Sequence, residues 1–280
     1  MNTLTLDCVK NQTKYLRIFN KRLTNPPQCG IIYGIHGNMK KRNDKVMEMP
    51  FEPNEGKNLT IDTDFGTFAR YPIRTHVIMK EDVMTDVLDK YVCPYLEKGD
   101  TVIISEKIIA ITQGRAFPID EIKVSRLANF LSKFVVKTNY GIGLGMPQTM
   151  ELCIREVGRP KVLWAAFCAA IGKLFGKKGV FYNICGMKAR AIDGPCDYTL
   201  PPYNHYAKMA PDKPDEAAAA LAKHCGCDVI IIDANDIAAT VLGKSRPDLP
   251  NAFGEQVFRD NPHDQCSQQT PISIVRKVSA

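Results

Sequence analysis

The sequence predicts a mixed fold, of α/β or α+β class. Apolar stretches at helical spacing alternate loosely with short β-branched runs. Glycine and proline punctuate the joins between them. The third observation is bulk composition. With 45% apolar and 24% charged residues over 280 positions, the chain can build an ordinary core without disulfide staples. No internal repeat or low-complexity segment interrupts this texture.

Residues 1–70 predict a β-rich N-terminal extension, distinct from a main domain over 71–280. Turn-forming groups such as "NPPQCG", "HGNMKK" and "FEPNEGKN" break the extension repeatedly. Short β-type runs, "CGIIYGIHG" and "LTIDTDFGTFARY", lie between them and suggest hairpins. The main domain then reads in order. "YPIRTHVIM" is a strand, and "EDVMTDVLDKYVCPYL" has helical spacing. "TVIISEKIIAITQG" is a strand, with a break at Glu106-Lys107. "IDEIKVSRLANFLSKFV" is an amphipathic helix, and "YGIGLGMP" a glycine-rich turn. "PQTMELCIREVG" and "PKVLWAAFCAAIGKLFG" are helices closed by glycine. "GVFYNIC" is a strand and "PDEAAAALAKHCG" a helix. "CDVIIIDAND" is a strand, "IAATVLG" a helix-like run, and "TPISIVRKV" a closing strand.

Several function classes recede on composition. The longest apolar stretch, "VLWAAFCAAI" at 162–171, has ten residues. That is too short to span a bilayer and predicts a buried helix instead. "MNTLTLDCVK" has no apolar signal region, which predicts a cytoplasmic chain. Ten scattered cysteines without a CxxC pair fit reduced thiols. A zinc site on His224, Cys225 and Cys227 lacks a second ligand pair. Net charge is +7, of which residues 1–50 contribute +6, from nine basic and three acidic residues. Such an arm can serve nucleic acid, but no helix-turn-helix, zinc-finger or RNP pattern accompanies it. Neither a nucleic acid nor a membrane is therefore an expected partner.

Two acids end apolar runs. Asp193 stands before a Gly-Pro turn in "ARAIDGP", and Asp233 closes "VIIIDAND". Hard cations such as Mg²⁺ or Mn²⁺ favour carboxylates with water and phosphate oxygens, so the two could share an ion. Each could equally cap a turn or helix. Asn235 and Asp236 are helix N-cap candidates, with phosphate a possible neighbour. Glu106 and Lys107 are charged residues in an apolar segment and need partners there. Arg115, after Gly114, could face a phosphate or carboxylate, or form an ion pair. "YGIGLG" is not a dinucleotide fingerprint, and "FGKKG" is not a Walker A loop.

The succession "YPIR", "GDTVIISEKIIAITQGR", "AIDGP…LPP", "VIIIDAND" and "TPISIVR" resembles the coenzyme F420-0:γ-glutamyl ligase family. The resemblance runs from about Tyr71 to Arg276 and is carried by the order of the blocks. It implies that family's α/β fold, in an intertwined homodimer. It implies a GTP- or ATP-dependent ligase that needs Mn²⁺ or Mg²⁺ and joins L-glutamate to the side chain of F420-0 through an acyl phosphate. By position, Asp193 and Asp233 match metal ligands, and Gln265 lies at or beside a third. Tyr71, Pro72, Ile73 and Arg74 match one nucleotide-contacting segment, and Glu106 and Lys107 another. The chain also departs from the family. Ile111 replaces a nucleotide-contacting lysine, Ala234 a threonine ligand, and Cys196 a base-contacting asparagine. "HDQCSQQTP" replaces a glycine-rich loop. These departures leave a second expectation, a non-catalytic ligand-binding protein that retains the fold.

Overall fold

A computed structural model describes residues 49–135, 143–197, 199–235, 237–264 and 268–278. The run "CGIIYGIHG", the basic arm, Asp236 and Gln265 lie outside them. Six strands form one mixed sheet in the order β1-β2-β8-β3-β6-β7. They are β1 (Thr60–Thr63), β2 (Gly66–Ile73), β3 (Thr101–Ser105), β6 (Asp228–Ala234), β7 (Ala239–Lys244) and β8 (Ile272–Lys277). Only β3 and β6 pair in parallel; every other neighbour is antiparallel. The short strands β4 (Ala116–Pro118) and β5 (Tyr206–Lys208) pair separately.

The central strands are apolar without alternation because both their faces are covered. On one face Ile104, Val229 and Ile231 pack with Leu88, Ile109 and Leu221. Those residues come from α1 (Met84–Tyr91), α2 (Glu106–Thr112) and, further on, α8 (Pro214–Cys225). On the other face Ile103, Ile230 and Ile232 pack with Phe253, Val257 and Phe258, at α9 (Asn251–Val257) and its end. A separate core belongs to the helical segment inserted between β3 and β6. It contains α3 (Arg126–Leu131), α4 (Pro147–Val157), α5 (Arg159–Leu174), α6 (Val180–Cys185) and α7 (Met187–Arg190).

The division drawn at residue 70 falls inside β2. Arg70 is almost fully buried, and its guanidinium pairs with Asp260 and reaches the carbonyls of Val257 and Asn58. The hairpin β1–β2 is therefore built into the main sheet. Upstream, Asn54 Nδ2 donates to the Pro262 carbonyl at 2.8 Å and to Thr270 Oγ1 at 2.7 Å, fastening residue 54 to the loop before β8.

Six sequence expectations need correction. "YPIRTHVIM" is a strand only as far as Ile73, where β2 ends. "IDEIKVSRLANFLSKFV" is not one helix: α3 covers only its middle, between short 3-10 turns at Ile119–Glu121 and Ser132–Phe134. "TVIISEKIIAITQG" is not one strand. Ser105 accepts the Lys107 N–H as an N-cap and turns the chain into α2. "GVFYNIC" is α6, not a strand; Gly179 and Gly186, both with positive φ, bound it. "IAATVLG" is β7, not a helix. Gly243 lets β7 pass α8, because a Cβ there would collide with the Pro214 backbone. Finally, α5 is not a buried helix. Val162, Ala165 and Gly172 face inward, whereas Trp164, Phe167 and Leu174 are exposed.

Candidate active site

β3 and β6 run in parallel register, Ser105 beside Ile232, so Glu106 and Asp233 follow side by side, Glu106 opening α2 and Asp233 still paired with Thr240 of β7. Ligands in open α/β sheets favour this carboxyl edge of parallel strands. Two other segments reach the same edge. β2 runs in the direction of β3, and Ile73 and Ile104 both pair with Ile272, so Arg74 emerges there. The chain entering β8 begins there too: the Ser105 N–H donates to the Pro271 carbonyl at 2.8 Å, and the Thr75 N–H to that of Gln269 at 3.0 Å.

The centre of the site is a lysine that the sequence reading passed over. Lys208, at the end of β5, is buried. Its ammonium pairs with the Glu106 carboxylate and lies 3.5 Å from Asp193 Oδ2. Asp193 and Lys208 also exchange two backbone hydrogen bonds of 2.9 Å. The strand-like reading of "FYNIC" misplaced Asp193: it follows α7 and forms an isolated bridge to Lys208. A lysine inside the apolar run "YAKMA" was the available signal, the same one that marked Glu106.

The electrostatics follow from this crowding. Burial pushes the Glu106 carboxyl up to about 7; Lys208 opposes the rise, and Asp233 and Asp193 add to it. Burial also raises Asp233, with Lys208 and Lys107 opposing and Asp193 reinforcing. For Lys208 burial works against the charge, but Glu106 and Asp193 prevail and hold it firmly protonated. Glu106 Oε2 is buried and has no hydrogen-bond partner among the described residues. Asp193, by contrast, leaves 54% of its side chain exposed. The result is an inner ion pair with two outer carboxylates. Oxygen donors of this kind suit a hard cation, although among the described residues these three acids do not bring one oxygen each within 4.8 Å of the others.

The remaining sequence candidates divide. Lys107 is half-buried and electrostatically felt by Asp233. Ile73 and Pro72 are buried in the sheet, and Tyr71 lies under the Arg276 guanidinium, 5.8 Å from its ring centre. Of that block only Arg74 is exposed. Arg115 does not face the site. It pairs with Glu156 at 2.9 Å, and Lys188 reaches the same carboxylate at 2.9 Å. Burial would raise Glu156, but hydrogen bonds from Lys188 and Arg115 hold it below the usual carboxylate range. Asn235 is not a helix cap: its Oδ1 accepts the Ile237 and Ala238 N–H groups and shapes the β6–β7 turn. A surface hollow beside β1 and β2, lined by Asn58, Asp62 and Arg259, is no rival, because the Arg70 guanidinium beneath it is engaged by Asp260.

Comparison with known families places this edge in context. The family model described as F420-0:Gamma-glutamyl ligase matches residues 72–243, well over half of the chain. The match spans Glu106, Lys107, Asp193, Lys208 and Asp233. No curated protein matches the chain.

Proposed function

Because the chain belongs to the F420-0:gamma-glutamyl ligase family, we propose that it joins an amino acid to a carboxylated acceptor at the expense of a nucleoside triphosphate. The family implies F420-0 as acceptor and L-glutamate as amine. One observation carries the reading. Three acids from separate segments, Glu106, Asp193 and Asp233, converge around Lys208 at the carboxyl edge of the parallel pair.

In this reading the outer acids, Asp193 and Asp233, with Gln265 from the loop before β8, hold Mn²⁺ or Mg²⁺. The ion, when bound, screens the phosphate charge. Glu106 and Lys208 position the site. Glu106 fixes the ammonium, which holds Asp193 toward the edge and offers a fixed positive charge near the transferred phosphate. Lys107 and the exposed Arg74 flank the same edge as further cations. The γ-phosphoryl of GTP or ATP passes to an acceptor carboxylate oxygen, and the nucleoside diphosphate leaves. The amine then attacks the acyl carbon, the C–O bond to phosphate breaks, and inorganic phosphate departs with the amide formed. The homodimer that the family implies would cover the exposed apolar residues of α5, Trp164, Phe167 and Leu174 among them. No helix among the described residues is long and apolar enough to cross a membrane.

A second reading, a binding protein that no longer catalyses, draws on Ile111 and Ala234. Ile111 is buried among core residues of α2, so its side chain cannot serve as a nucleotide contact. Thermal-shift measurements with GTP, ATP and GDP, each with and without Mn²⁺, separate the two. Stabilisation by a triphosphate that depends on Mn²⁺ is expected, as is its loss in Asp193→Asn and Asp233→Asn. Amide formation from F420-0 and L-glutamate, read as a mass increase, then establishes catalysis. If no nucleotide stabilises the chain, the ligase reading falls.

A further inference from the structure

At the opposite end of β6 a second group of ligand-type side chains meets. Asp89 lies in the last turn of α1, Cys93 two residues beyond that helix, and His224 in the last turn of α8. One ligand atom from each lies within 4.8 Å of the others. His224 Nε2 and Asp89 Oδ1 are 2.7 Å apart. Cys225 follows His224, and its sulfur lies 3.7 Å from that of Cys93. This spacing is too long for a disulfide, whose sulfurs bond at about 2.05 Å. It matches two thiolates on one tetrahedral zinc, which stand roughly 3.8 Å apart when each Zn–S bond is about 2.3 Å.

The sequence alone left a zinc site here without its second pair of ligands. The fold supplies that pair from α1 and the turn after it. Both elements pack on the same face of the sheet, and Cys93 and Cys225 border its core. The group is separate from the carboxylate edge. Cys225 and Cys227 precede β6 and Asp233 lies near its end, about 17 Å away along a strand rising about 3.3 Å per residue.

We propose that Asp89, Cys93 and His224 bind a zinc-class divalent ion, with the Cys225 thiol completing the tetrahedron after a side-chain rotation. The mixture of nitrogen, sulfur and one carboxylate suits Zn²⁺ and disfavours Mg²⁺ or Mn²⁺, which take oxygen ligands. With four protein ligands the ion has no open position and serves as a structural clamp between α1 and the end of α8.

The test uses the full chain, stripped with chelator in reducing buffer and titrated with Co²⁺ and Zn²⁺ alone. Wild type is expected to take up one equivalent of Co²⁺ with a thiolate-to-cobalt charge-transfer band. Zn²⁺ should displace the cobalt and raise the melting temperature. Cys93→Ser and His224→Ala should each weaken Zn²⁺ binding at least tenfold, whereas Asp193→Asn and Asp233→Asn should leave it unchanged. Absence of the band in wild type overturns the proposal whether or not any variant folds. So does a band that survives in both Cys93→Ser and His224→Ala. Neither result bears on the nucleotide and Mn²⁺ measurements, which read the other end of the sheet.

Discussion

The two ends of the β3–β6 pair differ in chemistry and in how they are built. The carboxyl edge gathers Glu106, Asp193, Asp233 and Lys208, hard oxygen ligands around a buried ammonium. The other end gathers thiols, an imidazole and one carboxylate at the margin of the core. The first is assembled from segments far apart in sequence and packed into the protein. The second is assembled from two helix ends near the surface. Burial therefore couples the carboxyl edge to folding, while the thiol end keeps its fold without an ion and gains stability when one binds.

That contrast is most sharply tested at the inner pair. Lys208→Met leaves the Glu106 carboxylate buried beside two other acids. The expected loss is about 3–5 kcal/mol in chemical denaturation, the usual result of breaking a buried pair from one side. The double variant Glu106→Leu/Lys208→Met should recover most of it, because the unpaired charge goes as well. At the thiol end, Cys93→Ser in metal-free protein should change stability by less than about 1 kcal/mol. Equal losses at the two ends would break the comparison.

A second difference lies in pH. The loop that leads into β8, at the carboxyl edge, contains His263, which is buried against Phe258 with ring centres 4.7 Å apart. Burial pulls its pKa down to about 3. Above the unfolded value of about 6.5 both states are neutral and His263 makes no difference. Below it the unfolded chain takes up a proton and the folded chain does not. Stability should therefore fall by about 1.4 kcal/mol for each pH unit between about 6.5 and 3. His263→Gln should remove that slope. An unchanged slope in the variant would show that another group sets the acid limit.

Much of the fold was legible in the sequence because its signals were local. The periodicity of α1, α4 and α8 and the β-branched runs of β3, β6 and β8 needed no tertiary information. The exposed face of α5 was missed because an apolar helix reads as buried whether or not a partner covers it. "GVFYNIC" was missed because a short run of apolar and aromatic residues, broken only by Asn183, fits either a strand or a short helix, and only the flanking glycines decide. At the site, Glu106 and the two aspartates announced themselves as acids against apolar runs. Lys208 gave the same signal in a shorter run. Its role depends on β5 meeting Asp193, a contact between residues whose pairing no sequence pattern specifies.

The smallest effect concerns how each parallel strand leaves the sheet. β3 exits into a helix because the Ser105 hydroxyl takes the Lys107 N–H; β6 exits into a hairpin because Asn235 takes two N–H groups. Both caps sit next to a site acid, Glu106 in one case and Asp233, two residues earlier, in the other. Loss of such a cap costs about 1 kcal/mol. The consequences for the site should differ. Glu106 is locked by Lys208 and the core, so Ser105→Ala should lower the melting temperature while leaving Mn²⁺-dependent stabilisation unchanged. Asp233 depends on the turn that follows it, so Asn235→Ala should lower both. If the two variants affect the Mn²⁺ response equally, the turn does not position Asp233, and the sheet alone holds that carboxylate.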